Sequence, residues 1–382
     1  MLLHTKGHSM NIENPLVGKI TRDPTKVDAN SFLVSENGIP KIPDRMYLGM
    51  LTTDKEISTS NNTPIVYNIP TLDHLSEGDL ITVGVDGNIN TLYRIHSTHN
   101  TLLATERCNS NCLMCSQPPK DRDDVPYSFW VHQKLIPLLP KDCPEIGISG
   151  GEPTLMGEYF YKLIEQLKVE LPNTEVHVLT NGRSFAWLHL ADRLAKINHE
   201  RVMLGIPVYS DYYQIHDYIV QAPHAFNQTI SGLHNLARLN QRIEIRIVLH
   251  KQSIPRLTKL ARYIYKNLPF AEHVAFMELE YIGYTPHNIQ KLWIDPHDYQ
   301  NELVESVEFL AGQGMNVSIY NSQLCVLSER LWKFSRKSIS DWKNNYLPEC
   351  ERCRKLNDCG GLFTWNLKKH SDHIKPFELE QD

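Results

Sequence analysis

The chain has 382 residues, of which 41% are hydrophobic and 22% are charged, a balance typical of a globular protein that buries a large core. Its net charge of −5, from 39 basic and 44 acidic residues, argues against a protein that holds nucleic acid through general positive charge. No apolar run approaches the length of a membrane span, and the first residues lack the apolar core of a signal peptide. We therefore expect a cytoplasmic protein without nucleic-acid or membrane partners.

The first hundred residues predict a separate β-rich domain, residues 1–100. Short runs rich in β-branched and aromatic residues lie at 31–34, 65–67 and 80–83, and they alternate with Gly, Pro, Asn and Asp. Glu77-Gly78-Asp79 before the last run and Asp86-Gly87 after it are typical of hairpin turns. The pattern does not indicate what this domain recognises.

The rest of the chain holds all eight cysteines, and most of them are clustered. Because a cytoplasmic protein keeps its thiols reduced, such clusters indicate metal binding and not disulfides. The first cluster is a C-x3-C-x2-C triplet, Cys108, Cys112 and Cys115, with no fourth cysteine nearby. Three thiolates suit a [4Fe–4S] cluster with one open iron, whereas structural zinc prefers four ligands. We favour iron–sulfur over zinc, and expect the lone Cys143 to be a buried, inert thiol.

A glycine-rich turn follows the triplet after one predicted helix. Residues 146–153, IGISGGEP, predict a short apolar strand that runs into this turn. Gly150 and Gly151 allow a ligand to approach the backbone closely, so that a side chain at Gly151 would stand in the ligand's place. Glu152, followed by Pro153, supplies a carboxylate that can accept hydrogen bonds from an ammonium group. Alone this would be an ordinary turn, but its position after the triplet favours a binding turn.

The triplet and the glycine turn together resemble the signatures of the radical S-adenosylmethionine (SAM) enzymes. The resemblance implies a cluster whose open iron chelates SAM, and a 5′-deoxyadenosyl radical that abstracts a hydrogen atom from substrate. It also implies that Gly150, Gly151, Glu152 and Pro153 hold the methionyl end of SAM. The family often has an aromatic residue before the third cysteine; this chain has Met114, an apolar residue that can also shield the cluster.

Strands and helices alternate between the triplet and residue 282. Strands are predicted at 102–104, 146–149, 176–179, 201–209, 243–249 and 273–282, and helices at 127–139, 156–171, 225–240 and 254–267. The alternation predicts an α/β fold with parallel strands covered by helices. An open doubly wound sheet would give the same pattern. The family resemblance implies instead a partial (βα)6 barrel, which we place at residues 101–312.

In such a fold, ligands gather at the carboxyl ends of the strands. The candidate SAM contacts there are Thr180, Asn181, Ser210, Arg246 and Met277, all but Arg246 by the resemblance. Thr180-Asn181-Gly182 fits an ordinary turn equally well. Ser210, which precedes His216-Asp217, is the candidate partner of the ribose, with a register that is open by one residue. Arg246 is the candidate partner of the SAM carboxylate, and Met277, near adenine by resemblance, fits a plain core residue as well. No catalytic acid or base is indicated.

The tail, residues 313–382, carries the second group of cysteines: Cys325, Cys350, Cys353 and Cys359. The spacing C-x2-C-x5-C followed by glycine resembles part of the SPASM and twitch extensions of radical SAM enzymes, which hold auxiliary iron–sulfur clusters. A full SPASM extension has seven cysteines. The four present here suffice for one auxiliary [4Fe–4S] cluster without an open iron, and zinc on four thiolates is the alternative.

Several segments resemble the His-Xaa-Ser system radical SAM maturases, specifically the C-type maturase: residues 105–108, 114–119, 318–325 and 338–344. The resemblance implies modification of a His-Xaa-Ser repeat peptide, a second radical SAM maturase as hetero-oligomeric partner, and an electron donor. Two alternatives stay open. The protein is a radical SAM enzyme that acts on a small molecule in cofactor biosynthesis, or a non-catalytic iron–sulfur or zinc protein.

Overall fold

A computed structural model describes residues 3–35, 47–57, 62–338, 340 and 343–377. The chain forms two compact units. The first comprises the described part of Met1–Leu102 together with Val125–Ile146 and Gln166–Thr174. The second comprises Leu103–Asp124, Gly147–Glu165 and the described part of Glu175–Asp382. Within the described ranges, no helix has the length and apolar character needed to cross a membrane.

The first unit contains an eight-stranded sheet in the order β1-β8-β7-β3-β4-β5-β6-β2. The strands are β1 (His4–Lys6), β2 (His8–Met10), β3 (Leu16–Thr21), β4 (Ser31–Ser35), β5 (Gly49–Thr52), β6 (Ile65–Tyr67), β7 (Leu80–Val83) and β8 (Asn88–Tyr93). β1 and β2 lie at opposite ends of this order although only Gly7 separates them, so the sheet closes on itself. Gly7 is required because a Cβ there would lie 2.4 Å from the carbonyl oxygen of Tyr67. The β-rich region and the hairpin between β7 and β8 are confirmed.

The second sheet also has eight strands, in the order β16-β15-β14-β13-β12-β11-β10-β9. These are β9 (Asn100–Leu103), β10 (Glu145–Ser149), β11 (Glu175–Leu179), β12 (Val202–Pro207), β13 (Arg242–Val248), β14 (His273–Met277), β15 (Val317–Tyr320) and β16 (Ser335–Arg336). The pairs from β11 through β16 are parallel. The α/β fold class with a parallel sheet and a partial barrel is confirmed.

Helices alternate with the strands of this sheet: α1 (Val125–Leu135), α2 (Glu158–Glu170), α3 (Leu188–Ile197), α4 (Tyr213–Val220), α5 (Ala225–Arg238), α6 (Leu257–Asn267), α7 (Ile289–Leu292) and α8 (Gln300–Gly312). Short 3-10 helices lie at Ile136–Leu138, Pro153–Met156, Arg183–Ala186, Ile254–Arg256, Pro296–Tyr299, Glu329–Phe334, Pro348–Arg352 and Thr364–Leu367. The helices bury apolar faces; in α6, for example, Leu257, Leu260, Ala261 and Ile264 are buried at helical spacing.

Two strands are shorter than predicted, and α3, α4, α7, α8 and the last two strands were not predicted. β12 ends at Pro207, two residues before the predicted end, because the chain turns at Ser210, whose hydroxyl accepts a hydrogen bond from the Tyr212 N–H. β14 ends at Met277. The next residue, Glu278, turns its carboxylate into the protein, where it accepts hydrogen bonds from Tyr299 and Ser322.

Register places the ends of the parallel strands side by side. Leu179 on β11 pairs with Gly205 on β12, Pro207 pairs with Arg246 on β13, and Val248 pairs with Met277 on β14. Segments that follow these strands therefore meet at one edge of the sheet. The predicted SAM contacts occupy this edge.

Candidate functional site

The cysteine loop, residues 104–119, is fixed by hydrogen bonds along its length. At its start, Asp124 accepts hydrogen bonds from the Thr105 hydroxyl at 2.5 Å and from the Glu106 N–H at 2.7 Å. In its middle, the N–H of Leu113 donates to the carbonyl of Ile219 at the end of α4, at 2.9 Å. Further along, the Tyr284 N–H donates to the carbonyl of Cys115 at 2.9 Å. The three thiols of the triplet are therefore held on an ordered backbone.

The triplet thiols lie close enough together to influence one another's ionisation. Burial raises the pKa of Cys108 to about 11, and the charge of Glu152 adds to this effect. Burial and then the two neighbouring thiols raise the pKa of Cys112, and burial raises that of Cys115. Ionising three such thiols together requires a strong compensating cation. The iron ions of a cluster meet that requirement.

The number of thiols in the triplet distinguishes a cluster from a structural zinc ion. Cys108, Cys112 and Cys115 supply three thiols, and no fourth cysteine lies nearby in the sequence. Structural zinc prefers four protein ligands, whereas three thiolates suit a [4Fe–4S] cluster with one open iron. The donor set therefore fits [4Fe–4S] better than zinc.

The glycine turn packs directly against the cysteine loop. The Gly151 N–H donates to the carbonyl of Thr105 at 2.7 Å, and the Glu152 N–H donates to that of Arg107 at 2.8 Å. A Cβ on Gly151 would lie 2.2 Å from the Arg107 oxygen, and one on Gly150, whose φ is +153°, 2.3 Å from the Thr105 oxygen. We expected a side chain at Gly151 to displace a ligand. That reason was wrong, because the side chain would displace the cysteine loop.

The Glu152 carboxylate joins two strand ends. The side chain is fully buried. Its Oε1 accepts hydrogen bonds from the Thr154 N–H at 3.1 Å, from the Thr154 hydroxyl at 2.6 Å and from the Thr180 hydroxyl at 2.6 Å. Its Oε2 accepts one from the Asn181 N–H at 2.7 Å. Pro153 is buried and begins the 3-10 helix that this carboxylate caps. Glu152 therefore positions Thr180-Asn181 after β11, and its contact with a ligand ammonium stays a prediction.

Asn181 and its neighbours reach the triplet. Its Nδ2 donates to Asn109 Oδ1 at 2.7 Å and lies 4.0 Å from Cys108 Sγ. Gly182 has φ +75°, so it forms the turn that the sequence also allowed. Arg183, which was not predicted, donates to the carbonyl of Asn109 and, at 3.0 Å, to the hydroxyl of Ser110. The segment after β11 therefore holds the cysteine loop from a second side.

Ser210 lies in the segment after β12 and is fully buried, and its hydroxyl accepts a hydrogen bond from the Tyr212 N–H at 3.1 Å. The His216-Asp217 pair that follows is structural. Burial lowers the pKa of His216 to about 4, and Asp217 accepts two backbone N–H hydrogen bonds at the start of α5. The hydrogen bond of Ser210 to a ribose stays a prediction.

Arg246 and Met277 are neighbours on β13 and β14. The Arg246 guanidinium donates to Met277 Sδ at 2.9 Å and to Glu244 Oε1 at 2.6 Å. Glu244 also contacts His273 Nδ1 at 2.7 Å and His177 Nε2 at 3.4 Å. Burial alone would raise the pKa of Glu244, but hydrogen bonds from both histidines and the charge of Arg246 hold it well below its ordinary value. Arg246 is thus balanced by an ionised carboxylate.

An apolar cluster covers the loop between Cys112 and Cys115. It contains Leu113 and Met114 together with Tyr209, Ile219 and Leu279, all buried. Met114 therefore lies where a residue shielding the triplet should lie. Gly283 was missed: its φ is +62°, and a Cβ there would lie 2.2 Å from the Cys115 oxygen. Its only sequence signal was a glycine soon after the sixth predicted strand.

The four tail cysteines line one small cavity. Cys350 lies in the 3-10 helix Pro348–Arg352, Cys353 follows it, and Cys325 comes from the separate segment after β15. Much of the remaining lining is apolar: Leu324, Leu356, Leu362, Ile374, Pro376 and Phe377. The structure brings the four predicted thiols together. Segment 338–344, part of the resemblance above, lies partly outside the described residues.

Comparison with known proteins gives one family match, over part of the chain. Residues 102–264 match the model of the radical SAM superfamily, and no curated protein matches the chain. Similar solved structures include SuiB of Streptococcus suis bound to S-adenosylmethionine, with 16% identity, a TM-score of 0.48, and 62% of this chain and 52% of that chain covered. They also include native anSMEcpe with bound AdoMet and the Cp18Cys peptide, with 16% identity, a TM-score of 0.48, and 73% of this chain and 91% of that chain covered. A third is a radical SAM methyltransferase from Sphaerobacter thermophilus, with 14% identity, a TM-score of 0.44, and 65% of this chain and 76% of that chain covered. The chain spans about half the length of SuiB.

Proposed function

Residues 102–264 match the radical SAM superfamily, and we propose that the protein is a radical SAM maturase that modifies a ribosomally made peptide. The proposed substrate is a His-Xaa-Ser repeat protein, and the proposed partners are a second radical SAM maturase and an electron donor in the cytoplasm. The family implies a [4Fe–4S] cluster and SAM, which supply a 5′-deoxyadenosyl radical for hydrogen-atom abstraction from substrate.

The residues of the second unit have distinct parts in this proposal. Cys108, Cys112 and Cys115 hold the cluster, and the buried residues around Met114 exclude water from it. Glu152 keeps the glycine turn and the segment after β11 in a fixed relation. Arg246 presents a cation beside Met277, where the resemblance places the bound SAM.

The observation that carries the peptide-modifying assignment is the tail cavity, which all four tail cysteines line. Four thiolates fill every iron of one auxiliary cluster, and a cluster without an open iron is suited to electron transfer or structural support, not to binding substrate. A small-molecule enzyme that ligates its substrate through such a cluster would need an open iron. Auxiliary clusters of this kind accompany radical SAM enzymes that modify peptides, and segments 105–108, 114–119 and 318–325 resemble the His-Xaa-Ser maturases.

Metal analysis after anaerobic reconstitution tests the two sites together. We expect about eight irons per chain, four from each cubic cluster, and about four in a variant with the four tail cysteines changed to Ala. Cys143→Ala is the matched control, because Cys143 is a buried cysteine outside both groups, and it should retain about eight. About four irons with one zinc in the wild-type protein would instead support the four-thiolate zinc alternative.

Incubation with SAM, a reductant and a synthetic His-Xaa-Ser repeat peptide tests the substrate. We expect a mass change in the peptide and 5′-deoxyadenosine in stoichiometric relation to it, with the second maturase present. SAM cleavage without any peptide change, under all partner conditions, would favour the small-molecule alternative. Absence of SAM cleavage in a protein with a full complement of iron would favour the non-catalytic one.

A further inference from the structure

The last described residues of the chain contribute to the tail cavity, although they contain no cysteine. We call Ile374–Phe377 the C-terminal strap; its residues line the cavity together with the four tail cysteines. The strap follows an anchored segment, in which the Ser371 hydroxyl donates to Asp295 Oδ1 at 2.6 Å and the Asp372 N–H donates to Oδ2 at 3.2 Å. The chain is thus fixed just before it crosses the cavity.

The strap makes direct hydrogen bonds to two of the four sulfurs. The Phe377 N–H donates to Cys353 Sγ at 3.4 Å, and the backbone of Lys375 hydrogen-bonds to the Cys325 thiol. The Phe377 carbonyl in turn accepts a hydrogen bond from the Arg354 N–H at 3.0 Å, so the strap is joined to the cysteine segment at Cys353 and at the residue that follows it. These contacts use the backbone and so leave no signature in the sequence.

Phe377 is one of the residues that line the cavity. It meets Trp332 edge to face, with ring centroids 5.6 Å apart. The Trp332 Nε1–H donates to the carbonyls of Leu324 and Leu327, at 3.0 and 3.1 Å, which fixes the indole beside Cys325. An apolar residue on a fixed neighbour is an effective barrier to water, because displacing it breaks both the ring contact and the backbone hydrogen bonds.

We propose that the C-terminal strap is a positioning element of the auxiliary cluster, which sets its reduction potential through N–H···S hydrogen bonds and seals it from solvent. The inference rests on the proposed auxiliary cluster. Reduction adds negative charge to a cluster and its thiolates, and N–H dipoles directed at the sulfurs stabilise that charge, so they raise the reduction potential. The strap would thereby make the auxiliary cluster a better electron acceptor than its four ligands alone.

A comparison of Phe377→Pro with Phe377→Leu separates the effect of the backbone N–H from the effect of the side chain. Proline removes the N–H that reaches Cys353, whereas leucine keeps it and also keeps an apolar side chain. In the reconstituted full-length protein, we expect the auxiliary cluster of Phe377→Pro to titrate at a lower potential than that of Phe377→Leu, by redox titration followed by EPR. The triplet cluster in the same sample is the internal reference, and its potential should be equal in both variants.

A chain that ends at His373 tests the seal, because it keeps the anchor at Ser371 and loses the strap. We expect it to assemble both clusters and to lose iron from the auxiliary cluster to a chelator several-fold faster than the full-length protein. If wild type holds about eight irons, the auxiliary cluster is present and the inference can fail on its own. Equal reduction potentials in the two Phe377 variants, together with an unchanged rate of iron loss in the shortened chain, would then overturn it. A wild-type protein with only the triplet cluster would refute the proposed auxiliary cluster and the inference with it.

Discussion

Changing Gly151 to Ala should loosen the cysteine loop and so reduce the iron bound at the triplet. The added Cβ would lie 2.2 Å from the Arg107 oxygen and 2.9 Å from the Glu106 oxygen, against 3.4–4 Å for an ordinary contact. Relief therefore requires the turn and the loop to separate by about 1.2 Å (3.4 minus 2.2). Both surfaces are backbone, so no side-chain rotation can absorb the overlap.

The size of the effect follows from the bonds that bridge the gap. The Gly151 N–H to Thr105 and the Glu152 N–H to Arg107 hydrogen bonds, at 2.7 and 2.8 Å, would both be stretched beyond useful length. Each contributes about 1 kcal/mol net, so about 2 kcal/mol of the contact would be lost. For a chain of 382 residues, that corresponds to a fall of roughly 2–3 °C in the melting temperature.

Three measurements test this prediction: the iron bound after reconstitution, the amount of SAM cleaved and the melting temperature. Gly312→Ala is the matched control, since a Cβ there meets no atom within 4 Å and alanine favours the end of α8. It should match wild type in iron and cleavage and unfold at an equal or higher temperature. A Gly151→Ala protein with wild-type iron and melting temperature, but weaker SAM binding, would refute our account and restore a ligand at that glycine.

Three further predictions concern other parts of the second unit. Replacing Cys108, Cys112 and Cys115 by Ala should abolish reductive SAM cleavage, measured as 5′-deoxyadenosine, without loss of helical circular dichroism; continued cleavage would refute the triplet assignment. Glu152→Ala leaves buried donors unpaired and should lower the free energy of unfolding by about 3 kcal/mol, whereas Glu152→Gln, which keeps one acceptor oxygen, should lower it less in the same urea titration. Burial raises the pKa of Glu278 from 4.5 to about 7 against the opposing effect of its hydrogen bonds. Because the folded protein binds this proton more tightly than the unfolded chain, the stabilisation is complete below the unfolded pKa and is lost as pH rises through about 7. Between pH 5 and pH 8, the free energy of unfolding of wild type should therefore fall by about 3 kcal/mol relative to that of Glu278→Gln. Parallel curves of unfolding free energy against pH would contradict this prediction.

Patterns within a few residues were readable from the sequence. The spacing of Cys108, Cys112 and Cys115 and the IGISGGEP turn are each contained in one loop, and their residue types are those that the chemistry requires. The alternation of apolar runs predicted the strands of the parallel sheet to within a few residues, because each strand must cover its faces with local apolar residues. Helix α3 was not predicted because it has few buried residues, Ala191, Leu194 and Ile197, and charged residues lie between them.

The amino-acid sequence by itself determined which groups are available: thiols at close spacing, a glycine turn, and polar side chains at strand ends. Only the tertiary structure decided what each of them meets. Gly151 faces the Arg107 backbone, Arg183 reaches Ser110 across 73 residues of chain, and Arg246 is balanced by a carboxylate two residues away on the same strand. The strap at Phe377 reaches Cys353 through a backbone N–H, which every residue except proline carries. Such contacts depend on strand register and on backbone groups that all residues share, so residue identity does not encode them locally.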